Sequence, residues 1–198
     1  LGPGRTDSLV DGVFNPYRFP DFGGLRDQPY LNHTANWVNR GTATLALRAE
    51  SLFTTANGQV SRIPRVLSWA LAVYLRSLPP PPPLDAVPAP EDEKGKAVFD
   101  SAGCSGCHVP PLYTSDQLIP LDTIGTDPAA GRSRDRGTGF YRIPSLRGVA
   151  RKGPYLHHGP FKTLEEMFTP GRSEPGHTFG LDLDATDRAA LLAFLRSI

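Results

Sequence analysis

The stretch Cys104-Ser105-Gly106-Cys107-His108 constrains this chain more than any other. These are its two cysteines, and they stand three residues apart, which gives no basis for a disulfide framework. C-x-x-C-H is instead the attachment pattern of a c-type haem. Two thiols add to the two vinyl groups, the two-residue spacer lets both sulfurs reach one edge of the macrocycle, and the adjoining histidine comes under the iron. The other ring nitrogen of such a ligand is usually tied to a backbone carbonyl, here expected from Pro110 or Pro111. A thioredoxin-like C-x-x-C would want a βαβ pattern beside it, and a zinc site would want a second Cys or His pair. Neither is visible. The expected cofactor is therefore one covalent haem c on Cys104, Cys107 and His108.

A haem also accounts for the composition. Proline (21) and glycine (20) make up about a fifth of the 198 residues, so much of the chain must be loop. An apolar macrocycle gives such loops something to pack on. The net charge of +1 argues against nucleic-acid binding and against a polybasic membrane anchor. No segment reaches the roughly 18–20 apolar residues of a membrane-spanning helix. Haem is attached to this motif outside the cytoplasm, so a periplasmic or otherwise extracytoplasmic location is expected. The chain starts at Leu1 with no signal peptide, and a lost export signal is the expected history.

The expected fold is mainly α: a class I cytochrome c-like domain with long Pro/Gly-rich loops, preceded by a loop-rich segment with about two helices. Gly2-Pro3-Gly4, Asn15-Pro16, Phe19-Pro20, Phe22-Gly23-Gly24 and Gln28-Pro29 punctuate residues 1–40. A first helix is expected over roughly 42–55, with Thr42 or Thr44 as its cap. A second is expected over 63–78, with Pro64 in its first turn and an apolar face of Val66, Leu67, Ala70, Leu71, Tyr74, Leu75 and Leu78. Seven prolines within 79–90 then form a stiff, extended linker. The chain divides accordingly into 1–78, a linker over 79–90, and a haem domain over 91–198.

Within the haem domain, helices are expected at 91–102, 163–168 (capped by Thr163 or its neighbour) and 184–198 (capped by Asp184), joined by a long loop region over 109–162. Gly95, Val98 and Phe99 before the motif, and Leu192, Leu195 and Ile198 at the end, suit a crossing of the first and last helices, with Gly95 permitting close approach. The second axial ligand stays open on the residues alone. Met167 is the one methionine, while His33, His157, His158 and His177 are the remaining histidines. Loop length permits either Met167 or His177.

Tyr141-Arg142-Ile143-Pro144-Ser145-Leu146-Arg147-Gly148-Val149, Gly153-Pro154-Tyr155-Leu156-His157-His158-Gly159 and Thr163-Leu164-Glu165-Glu166 resemble the C-terminal haem domain of the bacterial dihaem cytochrome c peroxidase superfamily, which includes MauG-like enzymes and rubber oxygenases. The resemblance covers most of 91–198, although His157-His158-Gly159 departs from the commoner His-Asp-Gly form. The family's Met or Tyr ligand falls fourteen residues after that first histidine, and position 171 is glycine here. Gly176-His177-Thr178-Phe179-Gly180 resembles instead the segment carrying the distal histidine of rubber-oxygenase-like members. The resemblance thus implies His108 and His177 as iron ligands, with Met167 as the alternative. More loosely, residues 1–7 and Leu31-Asn32-His33-Thr34-Ala35-Asn36-Trp37 resemble the segment between two haem domains, which implies that a first haem domain was lost, cleaved off or lies on a separate chain.

Arg142 and Arg147 are candidates to pair with haem propionates, and Tyr155 is expected to pack against the haem. Trp37 and Trp69 are expected to be packing residues rather than relays, and His158 a hydrogen-bonded structural residue. The expected activity is outer-sphere electron transfer by a monohaem cytochrome with redox partner proteins. The alternative is the relay half of a dihaem peroxidase or oxygenase whose reactive haem sits on another domain or chain.

Overall fold

The computed structural model describes residues 5–6, 17–18, 21–55, 61–86 and 88–198. The turns expected at Gly2-Pro3-Gly4, Asn15-Pro16 and Phe19-Pro20 lie outside these, as does most of the resemblance over residues 1–7. The fold is mainly α. Strands among the described residues form two short antiparallel ladders, β1 (Arg5–Thr6) with β2 (Tyr17–Arg18), and β3 (Leu118–Pro120) with β4 (Phe140–Arg142).

Helices α1 (Thr42–Thr55) and α2 (Arg65–Ser77) pack as a pair. Their core joins Leu45, Ala46 and Ala72 to Leu25 and Leu31. Pro64 stands just before α2 rather than within it. Of the apolar face named for this helix, Leu75 packs against that core, while most of the rest stays exposed. Val66, Leu67 and Tyr74 are 71%, 59% and 60% exposed, whereas Ser68 and Ala72 are fully buried. Small residues win the contact because they let α1 come close, and because Ser68 donates to the Glu50 carboxylate (3.2 Å), which Arg62 also grips (2.5 Å). An apolar face of α2 is left exposed, Trp69 included.

The haem domain begins with α3 (Ala89–Ser101) and ends with α7 (Ala185–Ser197), and these two cross as expected. A Cβ on Gly95 would lie 2.4 Å from the Ala190 carbonyl oxygen, so only glycine permits this approach. Phe99 packs against Phe194, the rings tilted with centroids 5.4 Å apart. Asp184 caps α7 by accepting from the amides of Thr186 (2.8 Å) and Asp187 (2.9 Å). Thr163 caps α6 (Leu164–Met167) by accepting from the Glu166 amide. The loop region also holds two single-turn helices, α4 (Leu121–Ile124) and α5 (Ala129–Arg132), besides β3 and β4. The turn residues between them hid these elements in the sequence.

The proline stretch is extended, and it is anchored. The Leu84 amide donates to the Arg196 carbonyl (2.9 Å) and Arg151 Nε donates to the Pro82 carbonyl (3.2 Å). Gly148 lies so close that a Cβ there would meet the Pro81 oxygen at 2.4 Å.

Candidate haem site

Gly103 ends α3 in the left-handed conformation (φ +80°), and a single 3-10 turn follows over Cys104–Gly106. The amides of Cys107 and His108 both return to the Cys104 carbonyl (3.2 and 2.9 Å). That turn brings Cys104, Cys107 and His108 onto the wall of one cleft. Phe99, Val149, Leu164, Phe168, Leu191 and Leu195 supply apolar wall.

His108 Nδ1 lies 3.1 Å from the carbonyl of Tyr113. This corrects the expected acceptor, Pro110 or Pro111. Both prolines are exposed, whereas the Tyr113 ring is held edge-on by Phe99 and Phe194 (5.9 and 6.0 Å). Packing fixes the Tyr113 carbonyl where the proline carbonyls have no such anchor. The bond assigns the proton to Nδ1 and leaves the Nε2 lone pair free. Burial pushes the His108 pKa down, which keeps the ring neutral, as a metal ligand must be. Burial also pushes the Cys104 thiol up to about 11. Reactive redox cysteines need the opposite shift. Among the described residues no cluster of three or more His, Cys, Asp or Glu side chains could hold a metal ion.

His177 reaches the same cleft from a strained loop. Its φ is +44°, uncommon for a residue with a Cβ. Three contacts hold it. The His177 amide donates to the Ile124 carbonyl (2.8 Å), and Arg172 Nη2 donates to the carbonyls of Gly176 (2.6 Å) and His177 (2.8 Å). Gly176 presses on Gly125, where a Cβ would come within 2.2 Å of backbone. Burial first, and the charge of nearby His108 second, push the His177 pKa down to about 4. Its Nδ1 is buried with no hydrogen-bond partner. An imidazole with an unsatisfied buried nitrogen, on the wall of a cleft that also carries Cys104, Cys107 and His108, fits a haem site.

Met167 also lines the cleft, packed in the core with Leu164 and Phe168. Tyr155 lines it too, its hydroxyl donating to the Val149 carbonyl (3.0 Å) and its pKa raised by burial to about 12. Arg142 is on the wall, its Nη1 donating to Gln28 Oε1 (2.7 Å) and the Tyr30 carbonyl (2.8 Å). Arg147 is not among the cleft-lining residues. His157 lines the cleft stacked on Tyr141 (4.3 Å), whereas His158 pairs with Glu174 (2.8 Å) off the wall. Trp37 Nε1 donates to the Thr44 carbonyl (3.1 Å) and Trp69 is half exposed. Neither reaches the cleft. Sequence reasoning missed Arg18, Asp21, Gln28, His33 and Lys152 as wall residues. Apart from His33, which lies in the Leu31–Trp37 stretch, no local pattern marks them, because the first four stand more than seventy residues before the motif.

Two cysteines and a histidine on one wall, a half-buried histidine sharing the cleft and an apolar lining define the site of a c-type cytochrome. The chain belongs to the cytochrome c family, whose profile matches residues 93–198, and it holds haem c covalently. Its relatives place it in the superfamily of dihaem peroxidases and MauG-like proteins. It is 26% identical over 193 residues to the methylamine utilization protein MauG of Methylophilus methylotrophus, with 83% of this chain and 58% of that protein covered. It is 31% identical over 150 residues to the cytochrome-c peroxidase IdrP1 of Denitromonas iodatirespirans, with 54% and 40% covered. The chain thus spans about half the length of these relatives. Its fold matches a Kuenenia stuttgartiensis hydrazine synthase chain (TM-score 0.70, 16% identity, 99% of this chain and 77% of that one). It also matches a MauG-like protein associated with microbial copper homeostasis (TM-score 0.62, 19% identity, 95% and 75%).

Proposed function

We propose that this chain is an electron-transfer cytochrome carrying one haem, with His108 and His177 as the two axial ligands. The observation that carries this reading is the shared cleft: His108 and His177 both line it, His108 with Nδ1 tied to the Tyr113 carbonyl and His177 with a buried Nδ1 that has no hydrogen-bond partner. Met167 stays the alternative, and its packing among Leu164 and Phe168 accounts for it without a ligand role. When bound, the haem supplies a one-electron couple, tuned by ligand identity and burial. The protein's part is to orient. Tyr113 sets the tautomer of His108, Arg172 and Gly176 hold the His177 loop, Tyr155 and the apolar wall exclude water, and Arg142 offers a guanidinium to a haem carboxylate. Were both His108 and His177 to hold the iron, they would leave it no site for peroxide or oxygen.

Two separate cores, around Leu45 and around Phe99, support dividing the chain into 1–78, the linker 79–90 and the haem domain 91–198. The exposed apolar face of α2 supports a redox partner or a chain carrying a second haem. No helix among the described residues is long and apolar enough to cross a membrane, and an extracytoplasmic location follows from where haem c is attached.

The test is absorption and EPR spectroscopy of the purified holoprotein and of His177→Ala. The unaltered protein is expected to be low-spin without a Met-to-iron charge-transfer band, and His177→Ala to turn high-spin. A Met band, or a low-spin spectrum unchanged in His177→Ala, refutes the ligand pair. A second reading is the relay half of a dihaem enzyme. It is favoured by relatives that are peroxidases and MauG proteins and by the partial span of their length. Rapid turnover of peroxide only when a second haem-bearing chain is present would favour it over the first.

A further inference from the structure

The two cleft histidines named as ligands differ in what fixes their rings. His108 is tied at Nδ1 to the Tyr113 carbonyl (3.1 Å). A ligating histidine is ordinarily held in this way, through its second ring nitrogen. His177 lacks that tie, because its Nδ1 is buried with no hydrogen-bond partner. The hydrogen bonds that hold its loop run from the His177 amide to the Ile124 carbonyl and from Arg172 to the Gly176 and His177 carbonyls. All of them end on the backbone of the loop. They place the His177 Cα and do not fix the plane of the imidazole.

What meets the imidazole is an aromatic ring. Phe179 stands beside His177 with ring centroids 5.8 Å apart and planes at 75°, a T-shaped pair. Aromatic rings at this separation and angle attract one another. The backbone of Phe179 is firmly placed. The Leu181 amide donates to the Thr178 carbonyl (3.1 Å), which closes a turn around it. Gly180 follows at φ +79°, and a Cβ there would meet Leu191 at 3.3 Å and Phe168 at 3.4 Å. The Phe179 ring also reaches the residue that opens the haem-attachment turn. A Cβ on Gly103 would have Phe179 Cδ1 at 3.7 Å and Cε1 at 3.8 Å, in ordinary contact. One ring therefore lies against both the Cys104 turn and the second histidine. Phe179 lines the cleft while 43% exposed, and no other exposed large apolar side chain among the described residues does so. It stands at the mouth, where a change of side chain does not disturb the core.

We propose that Phe179 is the positioning residue of His177: its ring, in place of a hydrogen bond, sets the plane of the imidazole. This rests on the reading that His177 is an iron ligand. The plane of an axial imidazole governs the splitting of the iron d orbitals, and so the g-values of the low-spin ferric state. Leucine keeps apolar bulk and has no ring plane, so it separates positioning from mere sealing of the mouth.

The experiment uses ferric holoprotein with Phe179→Leu, Phe179→Tyr and, as control, Phe140→Leu, which changes an exposed phenylalanine off the cleft wall. Low-temperature EPR reads the spin state and the g-values. Phe179→Leu is expected to stay low-spin, with its largest g-value shifted by more than the line width or split into several. Phe179→Tyr, which keeps the ring, is expected to give the parent spectrum, and so is Phe140→Leu. Parent g-values in Phe179→Leu overturn the proposal, as does a Phe179→Tyr spectrum shifted as far as the leucine one. If the leucine variant loses its haem, the wild type decides. NMR of the ferrous, diamagnetic protein is expected to show cross-peaks between the Phe179 ring and the His177 imidazole, and their absence overturns the proposal. His177→Ala tells the two readings apart. If it stays low-spin, the ligand pair falls and this role with it. If it turns high-spin while Phe179→Leu keeps the parent g-values, only this role falls.

Discussion

Substituting Gly95 by alanine tests the contact on which the haem domain closes. The added Cβ would stand 2.4 Å from the Ala190 carbonyl oxygen and 2.6 Å from Phe194 Cβ. Ordinary van der Waals contact needs about 3.4 Å or more, so α3 and α7 must part by roughly 1 Å, or one must slide. Neither neighbour is the flexible end of a side chain. One is backbone, and the other is the stem of a residue that is 2% exposed and packed against Phe99. Overpacking of this kind costs about 1–3 kcal/mol, and here the upper end applies. Alanine regains about 1 kcal/mol of helix propensity over glycine, which leaves a net loss of about 2 kcal/mol. For a chain of this size that lowers Tm by about 4–8 °C. The assay is thermal unfolding of the holoprotein followed by circular dichroism. Gly106→Ala is the control, because a Cβ there meets nothing within 4 Å, and its Tm is expected to stay within about 2 °C. If Gly95→Ala is as stable as the parent, or gains the propensity increment, the close crossing does not hold the domain and the argument fails.

The caps are separable in the same assay. Asp184→Ala removes the acceptor of two α7 amides and is expected to cost about 1 kcal/mol, with Asp184→Asn recovering most of it; no loss in the alanine variant would deny the cap a role. Gly176→Ala must push the His177 loop off Gly125, so the low-spin haem signal is expected to weaken, and an unchanged EPR spectrum would show that the loop's position does not matter to the iron. Acid should weaken the fold through His157, which burial holds at about 3, and His33, also held low by burial. Both lie below the roughly 6.5 of an unfolded histidine, so the unfolded chain binds more protons as pH falls, and stability drops below about pH 6.5 by up to about 1.4 kcal/mol per pH unit for each. Denaturant unfolding at pH 7 and pH 5 reads this directly, and equal stability at the two would refute it.

The features legible in the sequence are those set by neighbours in the chain. The C-x-x-C-H turn, the Asp184 and Thr163 caps and the extent of α1 depend on residues within four positions of one another, and local rules describe them. The crossing at Gly95 was also legible, because a glycine inside an otherwise regular helix asks for a packing reason. The exposed stripe of α2 reads as a core face for the same cause in reverse. Periodicity reports that a face is apolar but not which face a partner helix takes. There, Ser68 and Ala72 won through their small size and the buried Glu50 carboxylate.

The cleft is where local rules run out. Met167 and His177 lie at lengths from His108 that a loop can span equally well, and both do line the cavity. What distinguishes them is backbone geometry. Met167 sits on a short helix, packed into the core. His177 is held at positive φ because Gly176 meets Gly125, fifty-one positions earlier in the chain, and because Arg172 binds two consecutive carbonyls of the loop. The polar wall depends on longer range still. Arg18 and Asp21 share a wall with Arg142 and Lys152, which stand more than a hundred positions later in the chain, and Lys152 pairs with Asp21. A residue's part in such a site is set by which distant segment folds onto it. The motif therefore announced the haem, while the rest of the cleft lining had to be found in three dimensions.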